Sequence, residues 1–209
     1  MMDRRKFIAT GLAAGSVGLG APALAHGLGE PYILPEEQMP REVRLKDGFP
    51  AGEVHVDPNQ FALYWTMPDN RAIRYTVGIG RGNLYHPGTF YVGAKQEWPR
   101  WMPTPDMMER NPEAYKDFLP GGKFENGQPG GISNPLGARA LYLYTPSGRD
   151  TYLRIHGTNN PKTIGVAVSN GCARLVNDQV IELYDKVPLG AKVVLHPKAN
   201  AGPPHKEIS

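Results

Sequence analysis

The sequence predicts a mostly β domain, built as a sandwich with one clear helix. Two observations carry this. Short runs rich in Val, Tyr, Phe and Trp ("EVHV", "FALYW", "AIRYTVGIG", "GTFYV", "RALYLYT", "TYLRIH", "AKVVLH") recur between turn residues, the pattern of strands. One segment alone, "NDQVIELYDKV", spaces its apolar residues at the helical interval.

The elements follow in chain order. "MMDRRKFIATGLAAGSVGLGAPALAHG" joins a basic start, a short apolar run and a small-residue exit, which makes residues 1–25 a signal peptide cleaved after Ala25. The run is too short and Gly-rich for a membrane span. Arg4 and Arg5 before Phe7-Ile8 fit a twin-arginine signal. The plain alternative is a general secretory signal that happens to hold two arginines. Either route places the mature chain in the periplasm. No cysteine lies near the cleavage site, so no lipid or membrane anchor is expected. The chain carries a formal charge of +3, and the leader holds three basic residues against Asp3, so the mature part is only about +1. No basic field points to nucleic acid.

Residues 26–51 are polar and Pro-rich and read as an extended leader or linker. Strand patterning then begins, and the turns "DPN" and "MPDN" make the first two connections hairpins. The segment 95–137 breaks this rhythm with prolines, glycines and scattered aromatics. "TPDMMERNPEAYKDF" can hold one or two short helical turns after Pro105. A loop this long inside a compact domain is often functional, and it reads as a lid. Trp98 and Trp101 favour that reading over an idle insertion, because large apolar rings are costly to leave on an unused surface.

In "TYLRIH", Leu153 and Ile155 alternate with Arg154 and His156, which puts His156 on the exposed face at a strand end before Gly157. Val180, Leu183, Tyr184 and Val187 fall at i, i+3, i+4 and i+7 of an amphipathic helix, with Asn177 or Asp178 as its cap. Residues 197–209 are a flexible, Pro-rich tail.

Cys172 is the only cysteine in the chain. In an exported protein a lone thiol has no internal disulfide partner, so it is a small core residue, a reactive group or an intermolecular thiol. A thiol needs a base or a positive charge to favour its thiolate. His156, sixteen residues earlier, supplies a candidate base. Arg174 faces the same side as Cys172 if the chain is extended. Amides near Gly171 and Cys172 can hold a developing oxyanion. Together these residues describe acyl transfer through a thioester. Spacing alone leaves the core-residue reading open. His55, His86 and His196 stand singly and show no ligand spacing, so no metal and no cofactor are expected.

"IHGT" followed by "SNGCARL" resembles the signature of the L,D-transpeptidase (YkuD) catalytic domain family. "PGTFYVG" at 87–93, with Thr89 where the order varies, "NPLGARALYLY" at 134–144 and the Trp/Pro-rich loop around "WPRWMPTPDMM" extend the likeness over residues 52–196. The resemblance implies a mixed β-sandwich with one or two short helices and a long lid-like loop. It implies Cys172 as nucleophile and His156 as its acid/base partner, oriented by the Gly157 carbonyl. Gly171, Asn170 and Ser169 would shape the oxyanion loop. Arg174 would hold a substrate carboxylate or form a structural ion pair supporting the Cys loop. Thr158, Trp98 and Trp101 complete the expected substrate contacts. Many family members carry a histidine where this chain has Asn170, which leaves His156 as the only motif histidine.

The reaction so implied begins on a peptidoglycan tetrapeptide stem, with D-Ala leaving and an amine resolving the thioester into a 3→3 cross-link. An outer-membrane protein amine, a free D-amino acid or water are other acceptors. Two alternatives stand beside it: a thiol hydrolase of the same fold that cleaves stem peptides or wall-linked proteins, and a non-catalytic peptidoglycan-binding module.

Overall fold

The computed structural model describes residues 32, 34–46 and 48–199. The expected signal peptide, residues 1–25, and most of the expected tail lie outside the described residues.

One nine-stranded mixed sheet dominates. Its strands are β1 (Arg41–Arg44), β2 (Val54–Asp57), β3 (Ala62–Met67), β4 (Arg71–Thr76), β6 (Gly88–Glu97), β7 (Arg139–Tyr144), β8 (Asp150–His156), β10 (Ala173–Arg174) and β11 (Lys192–Leu195). They lie in the order β1-β4-β3-β2-β11-β6-β7-β8-β10. β5 (Ile79–Gly80) and β9 (Ala167–Ser169) form a second, two-stranded parallel sheet. Within the large sheet β2/β11 and β8/β10 run parallel and the other neighbours antiparallel. The two predicted hairpins are present as β2–β3 and β3–β4. Asp69 and Asn70 turn the second with φ of 61° and 54°, a region these two residue types tolerate.

The large sheet does not lie flat. β4 and β8 are six strands apart in its order, roughly 29 Å if flat at the usual strand spacing. Yet Tyr75 of β4 and Ile155 of β8 share one buried core with Val56, Leu63, Leu141 and Val193. The sheet therefore wraps around that core, and Gly78 closes it. The Gly78 N–H donates to the Arg174 carbonyl at 3.0 Å and the Arg174 N–H returns the bond at 2.8 Å. The chain leaving β4 thus pairs with β10, the far edge strand. A side chain at Gly78 would meet the Thr163 carbonyl at 2.4 Å, so this closure requires glycine.

Helix α2 (Asn177–Lys186) buries Val180 and Leu183 against the same core, as its spacing predicts. Neither Asn177 nor Asp178 caps it. Val176 occupies the cap position without a side-chain bond, because the Asn177 amide is engaged elsewhere. Lys95 reaches the other end, where its ammonium donates to the Tyr184 and Val187 carbonyls at 2.5 and 2.8 Å. A cation there complements the helix dipole.

The segment read as an extended leader contains a strand: β1 pairs with β4. Leu34 packs with Ile164 and Val176, and Leu45 with Tyr64 and Ala72, so two apolar anchors bind this polar stretch to the domain. The first tail residues are also held. Lys198 donates to the Gly82 carbonyl at 2.8 Å, and the Ala199 N–H to the Asn59 side chain at 2.8 Å.

The long loop between β6 and β7 has its own small aromatic core. Trp101 meets Phe118 edge-on at 5.0 Å, and Phe118 meets Phe124 at 5.4 Å. Helix α1 (Pro105–Arg110) starts at Pro105, where the Thr104 hydroxyl accepts from the Met107 N–H at 3.3 Å. A 3-10 segment follows at Glu113–Phe118.

Candidate active site

Strands β8 and β10 bring the two halves of the motif together. Arg174 pairs with His156 and Ala173 with Ile155 in a parallel ladder. Extending this register by one residue sets Cys172 beside Arg154. Paired residues share a sheet face and alternate residues repeat it, so Cys172, Arg174, Arg154 and His156 all project to one side. The Cα atoms of Cys172 and His156 are then roughly 8 Å apart on the diagonal, close enough for their side chains to meet.

That face is not exposed. Tyr142 and Arg154 of the face line a cavity of about 480 Å³ together with Trp101, Met107 and Leu136 of the long loop and with Cys172. The loop roofs this part of the sheet; His156 is only 3% exposed and does not itself line the cavity. Alternation in "TYLRIH" separates the core-facing Leu153 and Ile155 from Arg154 and His156, but the expected exposure of His156 is reversed: it is buried.

Burial sets the proton states. His156 Nδ1 donates to the Gly157 carbonyl at 2.6 Å, which leaves Nε2 unprotonated. Burial, reinforced by the Arg174 charge, pushes the imidazole down to about 3. Burial likewise pushes the Cys172 thiol up, although the Arg154 N–H and the Arg154 and Arg174 charges pull against it. At neutral pH the pair is a thiol and a neutral imidazole, not an ion pair. Cys172 is half-buried, and its thiol donates to the Tyr152 carbonyl at 3.9 Å rather than to His156.

The loop before the thiol is held from within. The Ser169 hydroxyl donates to the Cys172 carbonyl at 2.6 Å and accepts from the Gly171 N–H at 3.2 Å. Gly171 is buried at φ 127°, and a side chain there would meet the Leu84 carbonyl at 2.9 Å. Its amide is therefore taken by Ser169 and is not the oxyanion donor expected from sequence. The Cys172 amide has no backbone partner among the described residues and remains available.

Other expected contacts are redistributed. Arg174 neither lines the cavity nor forms an ion pair among the described residues. Its Nε is buried without a partner, and its charge acts on both Cys172 and His156. Trp101 lines the cavity and Trp98 does not. Trp98 sits at φ 43° with its N–H on the Ala138 carbonyl. Thr158 is buried outside the cavity, and its hydroxyl accepts from the Asn160 N–H at 3.0 Å. Asn170 lines the cavity and accepts from Arg110 at 3.3 Å.

Two supports hold the site in roles that no sequence signal gave. Asp150 holds Arg154 through two contacts of 2.6 and 2.8 Å, with Arg154 over the Tyr142 ring at 4.0 Å. Asn177 Oδ1 accepts from the Ala138 N–H at 3.0 Å and the Thr158 N–H at 3.3 Å, which ties α2 and β7 to the turn after His156. His55 and His196, isolated in sequence, meet at 3.0 Å away from the cavity. Among the described residues no group of three side chains could hold a metal ion. No described helix is long and apolar enough to cross a membrane.

A family model for the L,D-transpeptidase catalytic domain matches residues 51–195. The chain belongs to the L,D-transpeptidase catalytic domain family. Among curated relatives it is 34% identical to the probable L,D-transpeptidase ErfK/SrfK of Escherichia coli K12, a match covering 74% of this chain and 47% of that protein. It therefore spans about half the length of that relative. A putative L,D-transpeptidase of Fuscovulum blasticum is 31% identical over 92% of this chain and 96% of its own length. A solved Brucella melitensis structure, named as a probable carnitine operon oxidoreductase, is 43% identical, covers 78% of this chain and 95% of its own, and superposes with a TM-score of 0.51. The Ldtfm–avibactam carbamoyl enzyme, at 16% identity and TM-score 0.50, covers 72% of this chain and 50% of its own and shares the fold. The mostly β architecture with few short helices is thus that of the L,D-transpeptidases.

Proposed function

We propose that this L,D-transpeptidase-family protein cross-links peptidoglycan through an acyl-thioester on Cys172. The observation that carries this reading is a half-buried thiol in a roofed cavity, on the same sheet face as a neutral imidazole. Rotation of the thiol from Tyr152 toward His156 Nε2 lets the imidazole take its proton as sulfur attacks the carbonyl of the third residue of a tetrapeptide stem. The Cys172 amide holds the oxyanion. The bond to D-Ala breaks, and the imidazolium returns the proton to the leaving amine. An amine from a second stem then attacks the thioester, loses its proton to His156 and releases the thiol with a 3→3 cross-link formed. Arg174 stabilises the developing thiolate. The scheme uses no metal and no cofactor.

Residues 1–25 give export to the periplasm by the twin-arginine route, which fractionation of wild type and an Arg4→Lys/Arg5→Lys variant would check. A protein amine of the outer membrane is a further acceptor in this reading.

The test is incubation with purified disaccharide-tetrapeptide and mass analysis of protein and products. The expected result is an adduct on Cys172 equal to the donor less D-Ala, followed by a cross-linked dimer. Tripeptide without dimer would favour a thiol hydrolase. No adduct, or the same adduct on Cys172→Ala, would favour a wall-binding module.

A further inference from the structure

We propose that Arg110, on the lid helix, selects the acyl donor by binding the free carboxylate of its leaving residue. The inference rests on the thioester reading above and gives that cavity its donor preference.

Three guanidinium groups line the cavity, those of Arg100, Arg110 and Arg154, against the single carboxylate of Asp106. They are not equivalent. Arg154 is neutralised by Asp150 through two short contacts, and its side chain is 11% exposed. Its geometry is already the fork-to-fork pairing that guanidinium prefers. Arg110 has no such partner. Its Nη2 donates to the neutral amide oxygen of Asn170 at 3.3 Å, and among the described residues no ion pair engages it. Asp106, one helical turn earlier on α1, lines the same cavity without pairing to it. Arg100 is in a similar state, donating to the Asn126 carbonyl at 2.6 Å within the lid.

The placement of Arg110 gives its open charge a use. Asn170 lies two residues before Cys172 on the thiol loop, so Arg110 spans from the lid to the flank of the nucleophile. An acyl donor whose scissile carbonyl sits at the sulfur must place its leaving residue within about one residue's length of that atom. A carboxylate on that residue meets Arg110 and replaces a long hydrogen bond to a neutral acceptor by a pair between opposite charges. Arg174 is less well placed for this part: it does not line the cavity, and its Nε is buried.

The experiment compares two stem tetrapeptide donors, one with a free terminal carboxylate and one with a terminal carboxamide. Formation of the Cys172 adduct is timed by intact mass for wild type, Arg110→Gln and Arg110→Lys. Alkylation by iodoacetamide, which carries no charge, reports on the thiol itself. Wild type should prefer the free carboxylate by about tenfold or more in kcat/KM. Arg110→Gln should lose that preference by slowing the free-acid donor alone. Arg110→Lys should keep part of it, and alkylation should be unchanged in both variants. Equal slowing of both donors, or an intact preference in Arg110→Gln, would overturn the role of Arg110. Failure of both donors to acylate a wild-type thiol that iodoacetamide still alkylates would overturn the thioester reading, and this inference with it.

Discussion

His156 Nδ1 lies 2.6 Å from the carbonyl oxygen of Gly157, the next residue in the chain. The carbonyl only accepts, so the proton is fixed on Nδ1 and the Nε2 lone pair is the basic one. With the imidazole pushed down to about 3 and the thiol pushed up by burial, neither group titrates between pH 5 and 8. Acylation of Cys172 should therefore show kcat/KM constant within about twofold across that range. A stopped assay with a stem tetrapeptide donor checks this. A tenfold fall from pH 7 to pH 5 would contradict a neutral resting imidazole.

Replacing the sulfur or the base should separate their roles. Cys172→Ser keeps the shape of the loop, but its hydroxyl is a far poorer nucleophile beside a base this weak. No acyl-enzyme should be detected by intact mass. His156→Ala should slow acylation by about 10²–10⁴-fold, the usual range for a positioned base. An acyl-enzyme on Cys172→Ser, or acylation of His156→Ala within about tenfold of wild type, would refute the assigned roles.

The same imidazole makes stability depend on pH. Above its ordinary value of 6.5, His156 is neutral in both the folded and the unfolded chain. Below that, the unfolded chain takes up a proton that the buried ring refuses. Stability then falls by up to about 1.4 kcal/mol per pH unit, until the folded ring itself titrates near 3. His156→Gln should reduce this slope between pH 6 and 4, as read from urea midpoints. Other acid-sensitive groups, such as Asp150 beside Arg154, are common to both proteins and drop out of the difference. Parallel slopes would show that His156 takes up its proton without cost.

Much of the architecture was readable from local pattern. Strands β2 to β4, β6 to β8 and β11, and the apolar face of α2, follow from period-2 and period-3.6 spacing, because those positions are set by the core they enter. β1 has no local signal: the strand is mostly exposed, the flanking Leu34 and Leu45 anchor it, and its pairing comes from β4, a partner some thirty residues along the chain. At the site, the His-Gly-Thr and Gly-Cys-x-Arg segments marked the residues, and the structure supplied their surroundings. Exposure of His156 could not be read from alternation: it is buried although it lies on the face opposite the apolar pair, where a loop some twenty to fifty residues earlier forms a cavity with Tyr142 and Arg154. The sequence does not show that the Gly171 amide is held by the Ser169 hydroxyl. Arg110 and Asn177 carry no motif for these roles, because their contacts join segments about forty to sixty residues apart; Asp150 meets Arg154 within one strand, four residues on, where no motif marks the pair.

The lid's aromatic core gives a further expectation. Trp101 packs on Phe118 and Tyr115 and also lines the cavity, while the main core lies on the other side of the sheet. Trp101→Ala should loosen the roof without unfolding the domain. KM for a stem donor should rise severalfold, with a loss of about 1–3 kcal/mol in lid packing that scarcely moves the global transition. Hydrogen exchange across residues 101–128 against residues 139–156 would distinguish the two. Loss of protection in β7 and β8 as well would make the lid part of the main cooperative unit.

Asn177 offers the sharpest test of how the turn after His156 is held. Its Oδ1 accepts the amides of Ala138 and Thr158, and it lies so close to Gly157 that a side chain there would meet it at 2.3 Å. One oxygen therefore joins the first residue of α2, the chain entering β7 and the turn that sets the His156 ring. Asn177→Ala leaves two N–H groups without their acceptor, each worth about 1–3 kcal/mol when left unsatisfied. Water entering the vacated space should recover part, so the expected loss is about 2–4 kcal/mol in urea unfolding. Asn177→Asp keeps an acceptor oxygen in the same place and should restore most of the stability. Catalysis should follow the turn rather than the global fold. In Asn177→Ala, well below its unfolding midpoint, Cys172 acylation should still be slowed, because Gly157 no longer holds the imidazole in one orientation. Wild-type stability in Asn177→Ala, or full activity despite its destabilisation, would separate this side chain from the placement of His156.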